Sequence, residues 1–222
     1  MSLAKCPHGF SALPFCSIPS REKRKKNSNM KVLGISGSPI KNGNVDLLIQ
    51  QVLKGTGSKG GKTEIIYLDK LNISPCKSCG KNPEPRFCFI KDDMAEVYFK
   101  LKSSDVLVLG SPIYFDTVSA QMKLFLDRCN CLTPLVKKRN RYFFKSRLKK
   151  KRKGIIILVA GEKQRFDYAL IPLLGFFKWA NVKYVDKILY AHSFFEKGKV
   201  TEDKKIMQKA FDLEKGLWSV KL

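Results

Sequence analysis

The hydrophobic positions of this 222-residue chain fall into short apolar runs separated by longer stretches with helical spacing. Residues 31–35, 63–68, 105–111, 154–160 and 182–190 read as strands. The third (DVLVLGS) and fourth (GIIILVA) are apolar almost throughout, the pattern of strands whose sheet is covered on both faces. Between them, residues 44–53 place Val45, Leu48, Ile49 and Val52 on one helical stripe, and the glycine-rich 55–61 reads as flexible chain ending that helix. Asp92 and Asp93 open a helix running to about residue 102, their charges suiting its positive end. Further helices are predicted over 118–131, over 165–179 with a kink at Pro172, and over 201–218 with Thr201 as cap. No internal repeat is visible. Strands alternating with helices predict a parallel α/β sheet with right-handed crossovers. Ligands of such sheets sit beyond the carboxyl ends of the strands, so the loops 36–44, 112–117 and 161–165 should converge.

The first of these loops belongs to the stretch MKVLGISGSPIKNGNV, residues 30–45. A strand feeding a small, hydroxyl-rich loop at a helix N-terminus suits an anion, because main-chain N–H groups and the helix dipole both point at it. Ser36, Ser38 and Asn44 add side-chain donors, and Lys41 adds a charge. Gly37 and Gly43 let the backbone come close. The loop lacks the Gly-Lys-Ser/Thr of a Walker A motif and is not a GxGxxG turn, so a terminal monophosphate suits it better than a pyrophosphate. A plain strand–turn–helix connection would share much of this pattern. The second loop begins SPIYFDT; Ile113, Tyr114 and Phe115 put apolar and aromatic surface where an exposed loop is usually polar. A stacked aromatic ligand explains that choice, and so does a cap on the core or a subunit contact.

Composition narrows the class. A chain of this length, 44% hydrophobic, can bury one sizeable core. No apolar run approaches the roughly 18–20 residues of a membrane-spanning helix. The net charge of +24 is concentrated: residues 137–153 hold 11 Lys/Arg and no acid, and residues 21–26 hold five against one Glu. Outside those runs 27 basic residues face 18 acidic ones, so the body is only moderately basic. Seven cysteines, an odd number, do not suggest a secreted disulfide framework, and a reducing, cytoplasmic setting is expected. Residues 1–29 lack periodicity and read as a basic leader, unstructured or left over from expression or an over-early start, before a domain spanning 30–222. Within that leader Cys6, His8 and Cys16 do not make a complete metal set.

Three segments carry a family resemblance: GISGSPIKNGNV, SPCKSCGKNPEPRFCFIKDDM and LGSPIYFDTVSAQMKLFLDR, in that order. Together they resemble the NAD(P)H-dependent FMN reductase family of flavodoxin-like proteins, and within it the branch related to the iron–sulfur flavoproteins. The resemblance is clear over residues 30–128, looser over 154–190, and does not cover the leader or the basic insert. It implies a flavodoxin-like three-layer sandwich with a five-stranded parallel sheet in the order 2-1-3-4-5. It also implies non-covalent FMN and a homodimer or homotetramer with the flavin near a subunit interface. By position, Ser36, Ser38, Asn44 and Val45 would bind the FMN phosphate, with Lys41 as a further candidate. Pro112, Ile113, Tyr114 and Phe115 would pack along the isoalloxazine, and Ala160 and Gly161 would border its other side. The implied activity takes a hydride from NAD(P)H and passes electrons to a quinone, a flavin, a redox protein or a similar acceptor. The flavin carries that chemistry, so no side-chain acid or base is required. A flavin-binding electron carrier without its own NAD(P)H turnover is the alternative. His192, at a strand end, reads as structural.

The cysteine-containing loop, residues 71–91, resembles the compact cluster motif of the iron–sulfur flavoproteins through Cys76, Cys79 and Cys88. Asn82 stands where the family's third cysteine would fall. An iron–sulfur cluster ordinarily takes four thiolates, so the motif is one ligand short and a cluster-free loop is the favoured reading. The basic insert, residues 137–153, reads as a solvated mobile loop, with recruitment of an anionic partner as the alternative. Nucleic acid is not expected as a partner.

Overall fold

The computed structural model describes residues 29–81, 83–161, 164–192 and 196–219. The leader through residue 28, with Cys6, His8 and Cys16, and Asn82 of the cysteine motif lie outside them. The elements run β1 (Lys31–Ser36), α1 (Asn44–Ser58), β2 (Lys62–Tyr67), α2 (Met94–Ser103), β3 (Val106–Tyr114), β4 (Thr117–Val118) and α3 (Ala120–Arg128). They continue with β5 (Leu135–Lys138), β6 (Arg141–Phe144), β7 (Arg152–Gly161), α4 (Phe166–Trp179), β8 (Val182–His192), α5 (Lys204–Asp212) and α6 (Glu214–Ser219).

Five strands form the central sheet in the order β2-β1-β3-β7-β8, every pair parallel. Counted among themselves, they follow the expected order 2-1-3-4-5. The near-continuous apolar runs are explained by the two layers that cover them. On one face Val32, Val106, Val108, Ile155 and Ile157 pack with α1, α5 and α6. On the other Leu33, Ile35, Leu107, Leu109, Ile156 and Leu158 pack with α2, α3 and α4. The chain is an α/β three-layer sandwich of the flavodoxin-like kind. Among the described residues no helix is long and apolar enough to cross a membrane.

Several local expectations change. Helix α1 does not stop at the glycines but runs to Ser58. A Cβ on Gly55 would lie 2.1 Å from the Phe211 carbonyl oxygen, so that glycine admits the backbone of α5 rather than ending α1. Helix α4 continues through Pro172 as one element. The C-terminal helix divides into a 3-10 turn (Lys199–Glu202), α5 and α6, and the cap of α5 is Asp203, which accepts from Ile206 N, not Thr201.

The basic insert is not a featureless loop. Its N-terminal half forms a hairpin in which β5 and β6 pair antiparallel, Leu135 opposite Phe144 and Val136 opposite Phe143. Tyr142 and Phe144 remain exposed, and Phe144 meets the Trp179 ring edge-on at 5.3 Å. Two of its arginines turn inward, because main-chain carbonyls wait for them. Arg152 is buried and donates to the carbonyls of Leu101 and Lys102. Arg147 donates to the carbonyls of Phe87, Pro83 and Arg86 and pairs with Glu84. Part of the charge run therefore holds the cysteine-containing loop against the body.

Candidate functional site

The loop after β1 is built around a buried carboxylate. Asp46, in the first turn of α1, is fully buried and accepts from Ser36 Oγ at 2.5 Å and from Asn42 N at 2.8 Å. Burial pushes its pKa above the usual carboxylate range, and those two donors oppose the rise. Ser36 Oγ also accepts from Ser38 N at 3.2 Å, and Ser38 Oγ accepts from Ile40 N at 3.1 Å. Asn42 closes the turn in the left-handed region, φ 55°. Gly43 takes the N-cap position without a capping side chain. The first amides of α1, which have no partner within the helix, are left for an external acceptor. The loop is thus rigid from within and presents main-chain donors at its mouth.

The second loop is tied to the first. Ser119 caps α3 by accepting from Met122 N at 3.2 Å, while its hydroxyl donates to the Gly37 carbonyl at 2.6 Å. Gly37 in turn donates to the Gly110 carbonyl at 2.8 Å. The β4 ribbon folds back on β3, pairing Ile113 with Val118 and Tyr114 with Thr117, and it holds the 112–114 segment in place. Its tip, Phe115 and Asp116, is left-handed at φ 49° and 61°. The Asp116 carboxylate accepts from Arg165 N at 2.6 Å, and its own N–H donates to Gln164 Oε1 at 2.9 Å, so the third loop is bound to the second. Glu162 and Lys163, between β7 and Gln164, lie outside the described residues.

A cleft opens where the three loops meet, at the carboxyl ends of β1, β3 and β7. Ser38, Asn44 and Val45 line its polar end; Pro112, Ile113 and Tyr114 form one wall, with Ala160 and Gly161 opposite. Eight of the eleven residues singled out from the sequence are thereby brought together. Three are not. Ser36 is fully buried, its hydroxyl spent on Asp46. Lys41 is exposed outside the lining, and Phe115 is 97% exposed beyond the rim. Asn44 lines the cleft, but its side-chain amide donates to the Glu196 carbonyl and accepts from Val200 N.

Sequence reasoning missed the fourth side of the cleft, formed by His192, Glu196 and Lys197. His192 stacks on Tyr190 with ring centroids 5.9 Å apart. The only sequence signal was the polar stretch leaving the last strand. The arrangement joins an anion-binding helix N-terminus to an apolar wall, fit for a ligand with a phosphate at one end and a flat ring system at the other.

The cysteine-containing loop forms a separate cavity of about 430 Å³, lined by Cys76, Cys79, Cys88, Arg128 and Cys131 among others. Among the described residues no three His, Cys, Asp or Glu groups are placed to hold a single metal ion.

Comparison with known proteins bears on the fold and the family. An iron–sulfur flavoprotein of Methanocaldococcus jannaschii is 44% identical over 99 residues, 45% of this chain and 51% of that protein. One of Archaeoglobus fulgidus is 35% identical over 132 residues, 60% of this chain and 56% of that protein. The chain therefore spans little more than half the length of these curated relatives. Among solved structures, a flavone reductase superposes with a TM-score of 0.62 at 17% identity, covering 86% of this chain and 64% of that one. An NADH:FMN oxidoreductase superposes at 0.60 with 13% identity, covering 86% and 90%. Residues 30–193 match the NADPH-dependent FMN reductase family, and the chain belongs to that family.

Proposed function

We propose that this protein is an FMN-dependent oxidoreductase that takes a hydride from NAD(P)H and passes electrons to an acceptor such as a quinone, a flavin or a redox protein. The observation that carries the reading is the meeting, in one cleft, of the α1 N-terminus with the apolar wall 112–114. The phosphate of FMN would take the amides at the start of α1, Val45 N–H among them, together with the Ser38 hydroxyl and with Lys41 as the nearby charge. Ser36 acts from beneath, positioning the loop through Asp46. Pro112, Ile113 and Tyr114 would pack along the isoalloxazine and exclude water from it, with Ala160 and Gly161 bordering the opposite side. Bound FMN supplies the redox chemistry, accepting a hydride and releasing electrons in a second half-reaction.

Phe115, Ile171 and Trp179 are all exposed, and such uncovered apolar side chains support the expected homodimer.

Anaerobic titration with NADH and NADPH after loading with FMN tests the proposal. The expected result is stoichiometric FMN uptake and rapid loss of flavin absorbance with at least one nicotinamide. A protein that takes up no FMN would sink the proposal. FMN uptake without bleaching by either nicotinamide would favour the second reading, an electron carrier, which draws support from relatives named iron–sulfur flavoproteins.

A further inference from the structure

We propose, on the reading that the cleft takes FMN, that the phosphate is met by Lys197, a cation supplied by the turn after β8 and held in place by Asn44. Asn44 opens α1, yet neither end of its side-chain amide is left for a ligand. Its nitrogen donates to the Glu196 carbonyl at 3.0 Å, and its oxygen accepts from Val200 N at 3.1 Å. Asn44 is buried, so both bonds are shielded from water. The side chain therefore ties residues 196–200 to the N-terminus of α1, across 152 and 156 positions of sequence.

The tied turn is fixed from within as well. Val200 is fully buried in the core layer of α1 and α5. Gly198 is left-handed at φ 80°, and its carbonyl accepts from Thr201 N at 3.0 Å and from Thr201 Oγ1 at 2.8 Å. Lys197 follows Glu196 directly, with about 3.8 Å between their Cα atoms. It therefore stands beside the first amides of α1, where an anion is expected.

Charge points the same way. His192 aside, Glu196 and Lys197 are the charged side chains of the cleft lining among the described residues. Glu196 is engaged: Lys199 reaches its carboxylate at 3.2 Å and that of Glu202 at 3.1 Å. Lys197 is exposed and has no ion pair among the described residues. Lys41, the cation of the first loop, stands outside the lining. A phosphate at the amides of α1 thus meets in Lys197 a cation not already committed. A charge-assisted bond from it favours FMN over riboflavin, which lacks the phosphate. Asn44 is the positioning residue, acting on the phosphate through the turn that carries Lys197.

The test measures FMN and riboflavin affinity by fluorescence titration of the full chain, freed of bound flavin, at several salt concentrations. Lys197→Ala should weaken FMN binding about tenfold, make it less sensitive to salt and leave riboflavin binding unchanged. Lys197→Arg should stay near the wild type, and Lys41→Ala should cost less than Lys197→Ala. Asn44→Ala should also weaken FMN binding, but by much less when residue 197 is already alanine, because there is then no cation to place. Hydrogen exchange over residues 196–200 should rise in Asn44→Ala while the circular dichroism spectrum is kept. A Lys197→Ala protein with wild-type FMN affinity and salt dependence overturns the inference and leaves the FMN reading standing. Equal losses of FMN and riboflavin affinity overturn it too, and an Asn44→Ala effect undiminished in the Lys197→Ala background overturns the role of Asn44. A wild type that binds no FMN sinks the FMN reading and this role with it.

Discussion

Ser119 Oγ donates a 2.6 Å hydrogen bond to the Gly37 carbonyl, latching the loop after β3 to the loop after β1. The same oxygen accepts from Met122 N and caps α3, and Ser119 is fully buried. That hydroxyl therefore adds a side-chain tie between the anion-binding end of the cleft and its apolar wall, beside the main-chain bond from Gly37 N to the Gly110 carbonyl.

Ser119→Ala should remove both bonds and leave the Gly37 carbonyl unpaired in the interior. A cost of about 1–3 kcal/mol is expected in urea unfolding, with FMN affinity falling in a fluorescence titration. Unchanged affinity in a destabilised protein would mean that the latch serves the fold alone.

Asp46 lies beneath the same loop, and burial raises its pKa above 3.8 against the opposing bonds from Ser36 and Asn42. A carboxyl with a raised folded-state pKa contributes stability that is complete below the unfolded value and is lost as pH rises through the folded one. Wild-type stability minus that of Asp46→Asn should therefore decline as pH is raised from about 4. Paired denaturant melts across that range would show it, and a flat difference would refute it.

Asp92 and Arg128 form a buried pair, with side chains 4% and 1% exposed. Burial alone would raise the Asp92 pKa; the Arg128 guanidinium, helped by Ser74 N and Met94 N, outweighs it and holds the carboxyl below 3.8. Its stabilisation is present above 3.8 and is lost as pH falls through the depressed value. Asp92→Ala should cost about 3–5 kcal/mol at neutral pH by stranding a buried guanidinium, and it should also loosen the cysteine-containing loop, which Arg128 holds through the Ser74 carbonyl. Hydrogen exchange over residues 71–91 is the measurement; unchanged protection there would confine the pair to the core.

Gly55→Ala places a methyl group 2.1 Å from the Phe211 carbonyl, a main-chain atom that no rotamer change can move aside. An alanine is ordinarily the better helix former, so on helix propensity alone this change would stabilise α1 by about 1 kcal/mol. The close approach of α5 reverses the sign, and a net loss of about 1–3 kcal/mol is expected. Thermal melts decide between the two.

Much of this was legible in the sequence, for reasons of periodicity. Strands covered on both faces are apolar almost throughout, as the third and fourth runs are, and five strand-length runs alternating with helical stripes admit few arrangements besides a parallel α/β sheet. The anion loop was readable because small and hydroxyl residues between a strand and a helix have a local physical meaning. What stayed hidden depends on contacts between residues far apart in the chain. Nothing local says that Ser36 turns inward to Asp46 rather than outward, or that Gly55 admits another backbone instead of ending a helix. Nor does periodicity show that Arg147 and Arg152, in a run that reads as solvated charge, are drawn in by main-chain carbonyls. His192, Glu196 and Lys197 reach the cleft only because β8 lies beside β7. The cysteines show the division most clearly: a linear motif lists three sulfurs and an asparagine, whereas the cavity collects a fourth sulfur from the turn after α3. Local spacing determined which residues can form strands, helices and an anion-binding turn. Tertiary packing alone decided which side chains share a site, because that depends on the directions the fold imposes on them.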